Sequence, residues 1–113
     1  MYTLALDFAA EVYRLSEGFP DHERFGLTNQ MRRAAVSVSL SIAEGRGRGT
    51  DREFIRFLMI SRGSLFEVVS ASQIAYRLKY LDSDGLHILR QQAKTLSAKL
   101  MALIKRLGPV PSS

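Results

Sequence analysis

Apolar residues recur along this chain at spacings of three and four, the period of an amphipathic α-helix, in separate runs divided by glycine, proline and polar clusters. In the first run Leu4, Phe8, Val12 and Leu15 form one stripe, with Ala5, Ala9 and Tyr13 beside it. Asp7, Glu11 and Arg14 face away from that stripe, so the pattern predicts a helix over residues 3–17, stopped by Gly18. The connector FPDHERFGL follows, with Pro20 placed to open a short helical turn. Met31, Ala35, Val38 and Ile42 mark a second helix over residues 28–44, with Thr28 as the expected N-cap and Gly45 as the stop. Within it, Val36 to Ile42 alternates apolar and polar like a strand. The flanking RRAA and AEG segments favour helix, however, and no second strand exists to pair with it.

The third run opens with Thr50-Asp51-Arg52-Glu53, a capping box in which Thr50 and Glu53 are expected to satisfy each other's backbone amides. A helix is predicted over residues 51–80, about 45 Å at about 1.5 Å per residue. Phe54, Phe57, Leu58, Leu65, Val68 and Ala75 make its core face. Ile55, Met59, Phe66, Val69 and Ile74 lie outside that stripe, a surplus that points to burial on a second face. Gly63 and Ser64 are expected to mark a close crossing or a slight bend. In the fourth run Leu86, Leu89, Ala93, Leu96, Leu100, Leu103 and Leu107 keep a strict heptad seam. A helix over residues 84–107 follows, capped by Asp82 or Ser83 and ended by Gly108 and Pro109, with a frayed PVPSS tail. Short connections between four such helices predict one all-α domain, an antiparallel up-down-up-down four-helix bundle.

Composition narrows the function classes. The 113 residues include no Cys, which fits a reducing cytoplasm and excludes thiolate chemistry. No apolar window is long enough to span a membrane, and Asp7 and Glu11 interrupt the N-terminal segment, so neither an anchor nor a signal peptide is expected. The net charge of +5 is unevenly placed: residues 1–27 are acid-rich, whereas residues 85–113 carry Arg90, Lys94, Lys99, Lys105 and Arg106 without an acid. That asymmetry reads either as the mark of an acidic partner or of self-association between unlike surfaces, or as a solvated helix face with more Lys than Glu.

The residues do not suggest an enzyme. His22 and His87 stand alone, no ExxH pair is present, and a metal site or cofactor is not expected. Glu44 and Glu67, the mid-chain carboxylates, are expected to make structural contacts. The loop Gly45-Arg46-Gly47-Arg48-Gly49 lacks nucleotide-binding spacings, yet it leads into a helix N-terminus. It reads either as a solvated turn or as a reader of phosphate backbone through its amides and Arg46, Arg48 and Arg52. Arg32 and Arg33 sit near the positive end of the second helix, where a cation is slightly unfavourable, and so are expected to answer to Glu23, Glu44 or a ligand. Tyr76, Arg77, Lys79 and Tyr80 form a basic and aromatic cluster better explained by packing and the helix dipole than by base stacking.

The strings EVYRL, FPDHERFGLT, QMRRAAVSV, IAEGRGR, EFIRFL, RGSLFE and IAYRLKYL, in this order from Phe8 to Leu107, resemble the four-helix-bundle family encoded in intervening sequences of bacterial 23S ribosomal RNA genes. The resemblance implies an antiparallel bundle that assembles as a ring-shaped homopentamer, with Ile55, Met59, Phe66 and Val69 as interface candidates. A related branch serves diversity-generating retroelements, where a basic pentamer binds reverse transcriptase and nucleic acid. By this resemblance the partners would be further copies of the chain and RNA or DNA, through Arg46, Arg48, Arg52, Arg32 and Arg33, or a protein such as a reverse transcriptase. No catalytic residues carry over. Val38-Ser39-Leu40-Ser41 stands where the family often has Pro and Asn before its IAEG signature, and Val69 replaces a usually acidic position.

Overall fold

The structure, a computed structural model, describes residues 1–108. Four α-helices are present, α1 Tyr2–Ser16, α2 Leu27–Arg46, α3 Asp51–Arg77 and α4 Ser83–Leu107, with a 3-10 turn at Asp21–Glu23 before α2. Each helix packs on its neighbours in sequence and α4 closes back on α1, while the diagonal pairs stay apart. This is a four-helix bundle, 44 × 26 × 22 Å. The expected stop at Pro109 and the tail beyond it lie outside the described residues.

The α2–α3 interface is the most extensive. On α2 its buried residues are small or medium: Ala34, Ala35, Val38, Ser41, Ile42 and Gly45. They meet Phe57, Leu58, Ser61, Ser64, Leu65 and Val68 of α3. Two serines of α3 bond across the seam. Ser61 Oγ donates to the Val38 carbonyl at 2.8 Å, and the Ser64 and Ser37 hydroxyls are 2.8 Å apart. The serines that lower the helix propensity of α2 therefore occur where close helix approach needs short side chains. On α4 the heptad seam is buried through Leu100 and then passes to Ile104, with Leu103 and Leu107 half-buried. A straight helix drifts by about 20° per heptad, which accounts for the shift. On α1 the buried positions are Ala5, Phe8, Val12 and Ser16, so the stripe is rotated from the expected one and Tyr13 stays exposed.

Several helix ends differ from expectation, each for an identifiable reason. Thr28 is not the N-cap of α2. Gly26 holds that position, and the Leu27 amide donates to Glu23 Oε1 at 3.1 Å, so a carboxylate from the preceding turn does the capping. Gly45 does not stop α2. It lies buried inside the last turn, where a Cβ would come 2.8 Å from Phe57 Cβ and 2.9 Å from Phe54 Cδ1. Gly63, by contrast, faces outward with nothing near it and marks no close crossing within the bundle. Helix α3 ends at Arg77 rather than Tyr80, because Lys79 turns the chain through a left-handed conformation at φ 65°. The Tyr80 amide then bonds the Ala75 carbonyl and the Lys79 amide the Tyr76 carbonyl, the Schellman pattern that closes a helix. Tertiary anchoring of Tyr80 holds this reversal: its ring lies 5.7 Å from that of Phe19, and its hydroxyl donates to Glu23 Oε2 at 3.1 Å. Desolvation and the Glu23 carboxylate both push the Tyr80 phenol pKa above its ordinary value.

Gly45 and Gly63 give a paired test of the α2–α3 approach. Gly45→Ala is expected to destabilise the bundle by about 1–2 kcal/mol, overpacking outweighing the gain in helix propensity. Gly63→Ala, at an open helix position, is expected to stabilise it by about 0.5–1 kcal/mol. Urea denaturation of both variants measures the contrast.

Candidate nucleic-acid interface

The basic loop between α2 and α3 reduces to Gly47–Thr50, because α2 absorbs Gly45 and Arg46. Two of its amides have local partners. Gly47 N–H donates to the Ala43 and Glu44 carbonyls and Arg48 N–H to the Gly45 carbonyl, which closes α2. At the head of α3 the Thr50 hydroxyl accepts from the Glu53 amide at 3.2 Å. The reciprocal half of the capping box is absent, since the Glu53 carboxylate turns to Arg56 at 3.0 and 3.4 Å. The hydrogen bond from Arg56, more than its charge, holds the Glu53 carboxyl below the usual carboxylate range. Asp51 and Glu53 place negative charge at the positive end of the helix dipole.

The arginines expected to act together separate into four settings. Arg48 ion-pairs with Glu44 at 3.4 Å and lies 4.9 Å from the Phe57 ring centroid, which Arg56 also approaches, at 4.6 Å. Arg46 and Arg52 make no ion pair or side-chain hydrogen bond among the described residues. Arg46 borders a depression of about 590 Å³ together with Lys99 and Arg106 of α4, over Met1, Phe54, Ala102, Leu103 and Leu107. Among the described residues no carboxylate lines this depression. Around the same end of the bundle stand Arg52, Arg56 and Lys105, against Glu44, Asp51 and Glu53. Most of the net positive charge thus gathers at one end. Sequence reading missed this convergence, although the acid-free fourth helix and the antiparallel order together carried the signal.

Arg32 belongs to the architecture. Its Nε donates to Ser16 Oγ at 2.8 Å and its Nη2 to the Tyr13 carbonyl at 3.2 Å, and its guanidinium lies 4.6 Å from the Tyr13 ring centroid. The expected partners Glu23 and Glu44 are engaged elsewhere. Arg32 instead satisfies a carbonyl at the C-terminus of α1, where a cation is favoured by the dipole. Arg33 lies about 20 Å from Arg46 along α2, counted at about 1.5 Å per residue. It lines an α2–α3 groove of about 640 Å³ with Phe25, Gln30, Glu67 and Ile74.

The apolar candidates on α3 also divide. Ile55 and Val69 are half-buried against the core of their own bundle, whereas Met59 and Phe66 are each 48% exposed. Phe66 and Val69 line an α3–α4 groove with Arg90 and Lys94, and Arg62 lies over the Phe66 ring at 4.8 Å. Leu40, Ile60 and Ile74 are exposed too, as is Phe25 at 88%. Sequence patterning missed Phe25 and Leu40 as exposed apolar groups. Among the described residues no cluster of three or more His, Asp or Glu side chains could hold a metal, and no helix is long and apolar enough to cross a membrane.

Arg32 and Arg33 are adjacent in sequence and unlike in role, which a stability measurement resolves. Arg32→Ala is expected to cost about 1–2 kcal/mol through its lost bonds to α1. Arg33→Ala is expected to stay within about 0.5 kcal/mol of the parent.

Three comparisons place the chain among known proteins. No curated protein matches it. A solved structure from Bacteroides thetaiotaomicron VPI-5482, described as a protein with unknown function from the S23 ribosomal protein family, is 19% identical over 92% of this chain and 97% of that one. Its TM-score of 0.84 shows the same fold. The family model described as 23S rRNA-intervening sequence protein matches residues 1–102. With the IAEG signature, the four-helix order and that match in agreement, the chain belongs to the 23S rRNA-intervening sequence protein family.

Proposed function

We propose that this chain is a non-catalytic, self-associating cytoplasmic protein that holds the phosphate backbone of RNA or DNA on the basic end of its bundle. The observation that supports this reading most directly is the convergence of Arg46, Lys99 and Arg106 on one depression that no carboxylate among the described residues lines. Arg52 and Lys105 stand at the same end without an ion-pair partner among the described residues. Cations gathered in this way repel one another and are favoured by a polyanion. Each phosphate they neutralise releases condensed counterions, which makes the affinity steeply salt-dependent.

The combined replacement of Arg46, Arg52, Lys99 and Arg106 by Ala is expected to weaken binding to structured RNA and to flatten its log–log salt dependence by about 3. Titrations by fluorescence anisotropy across a salt series read both quantities, with circular dichroism confirming the fold. Binding that ignores salt, or that survives the replacement, contradicts the reading.

A second reading, a protein-interaction scaffold without a nucleic-acid role, draws on the apolar groups left exposed along α2 and α3: Leu40, Met59, Ile60, Phe66 and Ile74. Burial against further copies of the chain, in the five-membered ring that the family resemblance implies, would remove them from water. Sedimentation of the parent is expected to report an oligomer, and Met59→Glu with Phe66→Glu is expected to dissociate it. A monomeric parent removes self-association from the account.

A further inference from the structure

The depression at the basic end contains more than phosphate contacts require. Arg46, Lys99 and Arg106 supply a cationic rim, while Phe54, Leu103, Leu107, Ala102 and Met1 supply an apolar floor. Phe54, Leu103 and Leu107 are half-buried, and the Phe54 ring is pinned on one side by Gly45. At about 590 Å³ the space lies within the range of about 300–1,000 Å³ typical of small-molecule sites.

The two linings distinguish between forms of nucleic acid. A duplex keeps its bases stacked and paired, and turning one out is costly, so it would engage the rim and leave the floor wet. An unpaired strand carries bases whose faces are already free. A base that stacks on an aromatic side chain adds to the affinity while its neighbouring phosphates stay within reach of the cations. Two other grooves fit less well. Among the described residues, that between α2 and α3 is lined by Glu67 and has Arg33 as its one cation, and that between α3 and α4 has Phe66 with two cations, Arg90 and Lys94, against three at the basic end.

We propose that this depression seats an unpaired nucleotide of a single-stranded RNA or DNA segment. Its base lies on the floor formed by Phe54, Leu103 and Leu107, and its flanking phosphates lie on Arg46, Lys99 and Arg106. The inference rests on the reading of the basic end as a nucleic-acid surface, and it assigns the strand class which that reading leaves open.

Three dye-labelled probes of equal phosphate number test it by fluorescence anisotropy at one salt concentration: a single strand of about 10 nucleotides, a duplex, and an abasic strand of the same length. The single strand is expected to bind about tenfold more tightly than either of the others, the worth of one seated base. Phe54→Leu keeps an apolar group against Gly45 but removes the aromatic face. It is expected to lower single-strand affinity severalfold and to leave duplex affinity and the salt slope unchanged. Equal binding of the three probes overturns the inference and leaves the basic-end reading standing, whereas binding of none overturns both. A parent oligomer that dissociates on Phe54→Leu would show the depression to be occupied by a second copy, which also overturns the inference.

Discussion

The close approach of α2 and α3 is the constraint on which the rest of the molecule depends. Gly45 has no room for a methyl group between Phe54 and Phe57, and Ser61 reaches the Val38 carbonyl because nothing larger stands between the two backbones. A buried hydroxyl without a partner is costly, so these bonds make the helix register specific as well as tight. That register fixes where α2 can end and α3 can begin. It leaves a short turn, Gly47–Thr50, with Gly49 at φ 89° in the left-handed region that glycine tolerates. The placement of Arg46 and Arg52 at the bundle end follows from packing rather than from the loop's own conformation.

The opposite end is held by polar contacts of a different kind. Glu23 caps α2, accepts from Tyr80 and lies against Gly26, where a Cβ would come 2.7 Å from its Oε1. Arg32 ties α2 to the end of α1. Glu23, Arg32 and Asp82 of this end hold chain turns and helix ends together, whereas Arg46, Lys99 and Arg106 at the other end converge on one depression.

Helix number, order and the core of α4 were legible in the sequence because they follow from period and heptad spacing. Helix ends were less legible. Thr28 had the chemistry of an N-cap, but Glu23 reached the Leu27 amide first from a preceding turn whose geometry periodicity does not encode. Tyr80 looked like a continuation of α3, and its contact with Phe19 and Glu23, distant in sequence, decided otherwise. The candidate site was half legible. GRGRG stood out as a basic loop, yet the arrival of Lys99 and Arg106 beside Arg46 is a tertiary fact. Arg32 and Arg33 looked equivalent because adjacent residues share a composition and not a face. A helix turns about 100° between them, enough to give one to α1 and the other to a groove.

The central claim, that the basic end is the working surface, is most directly tested by residue-resolved NMR. Amide shifts would be followed while an RNA oligonucleotide is titrated at low salt into the protein in its native assembly. The account predicts that perturbations concentrate at Gly45–Phe54 and Lys99–Leu107 and fade as salt is raised. Perturbations centred on Phe25, Arg33 and Ile74 in the α2–α3 groove, or none at any salt, would contradict it.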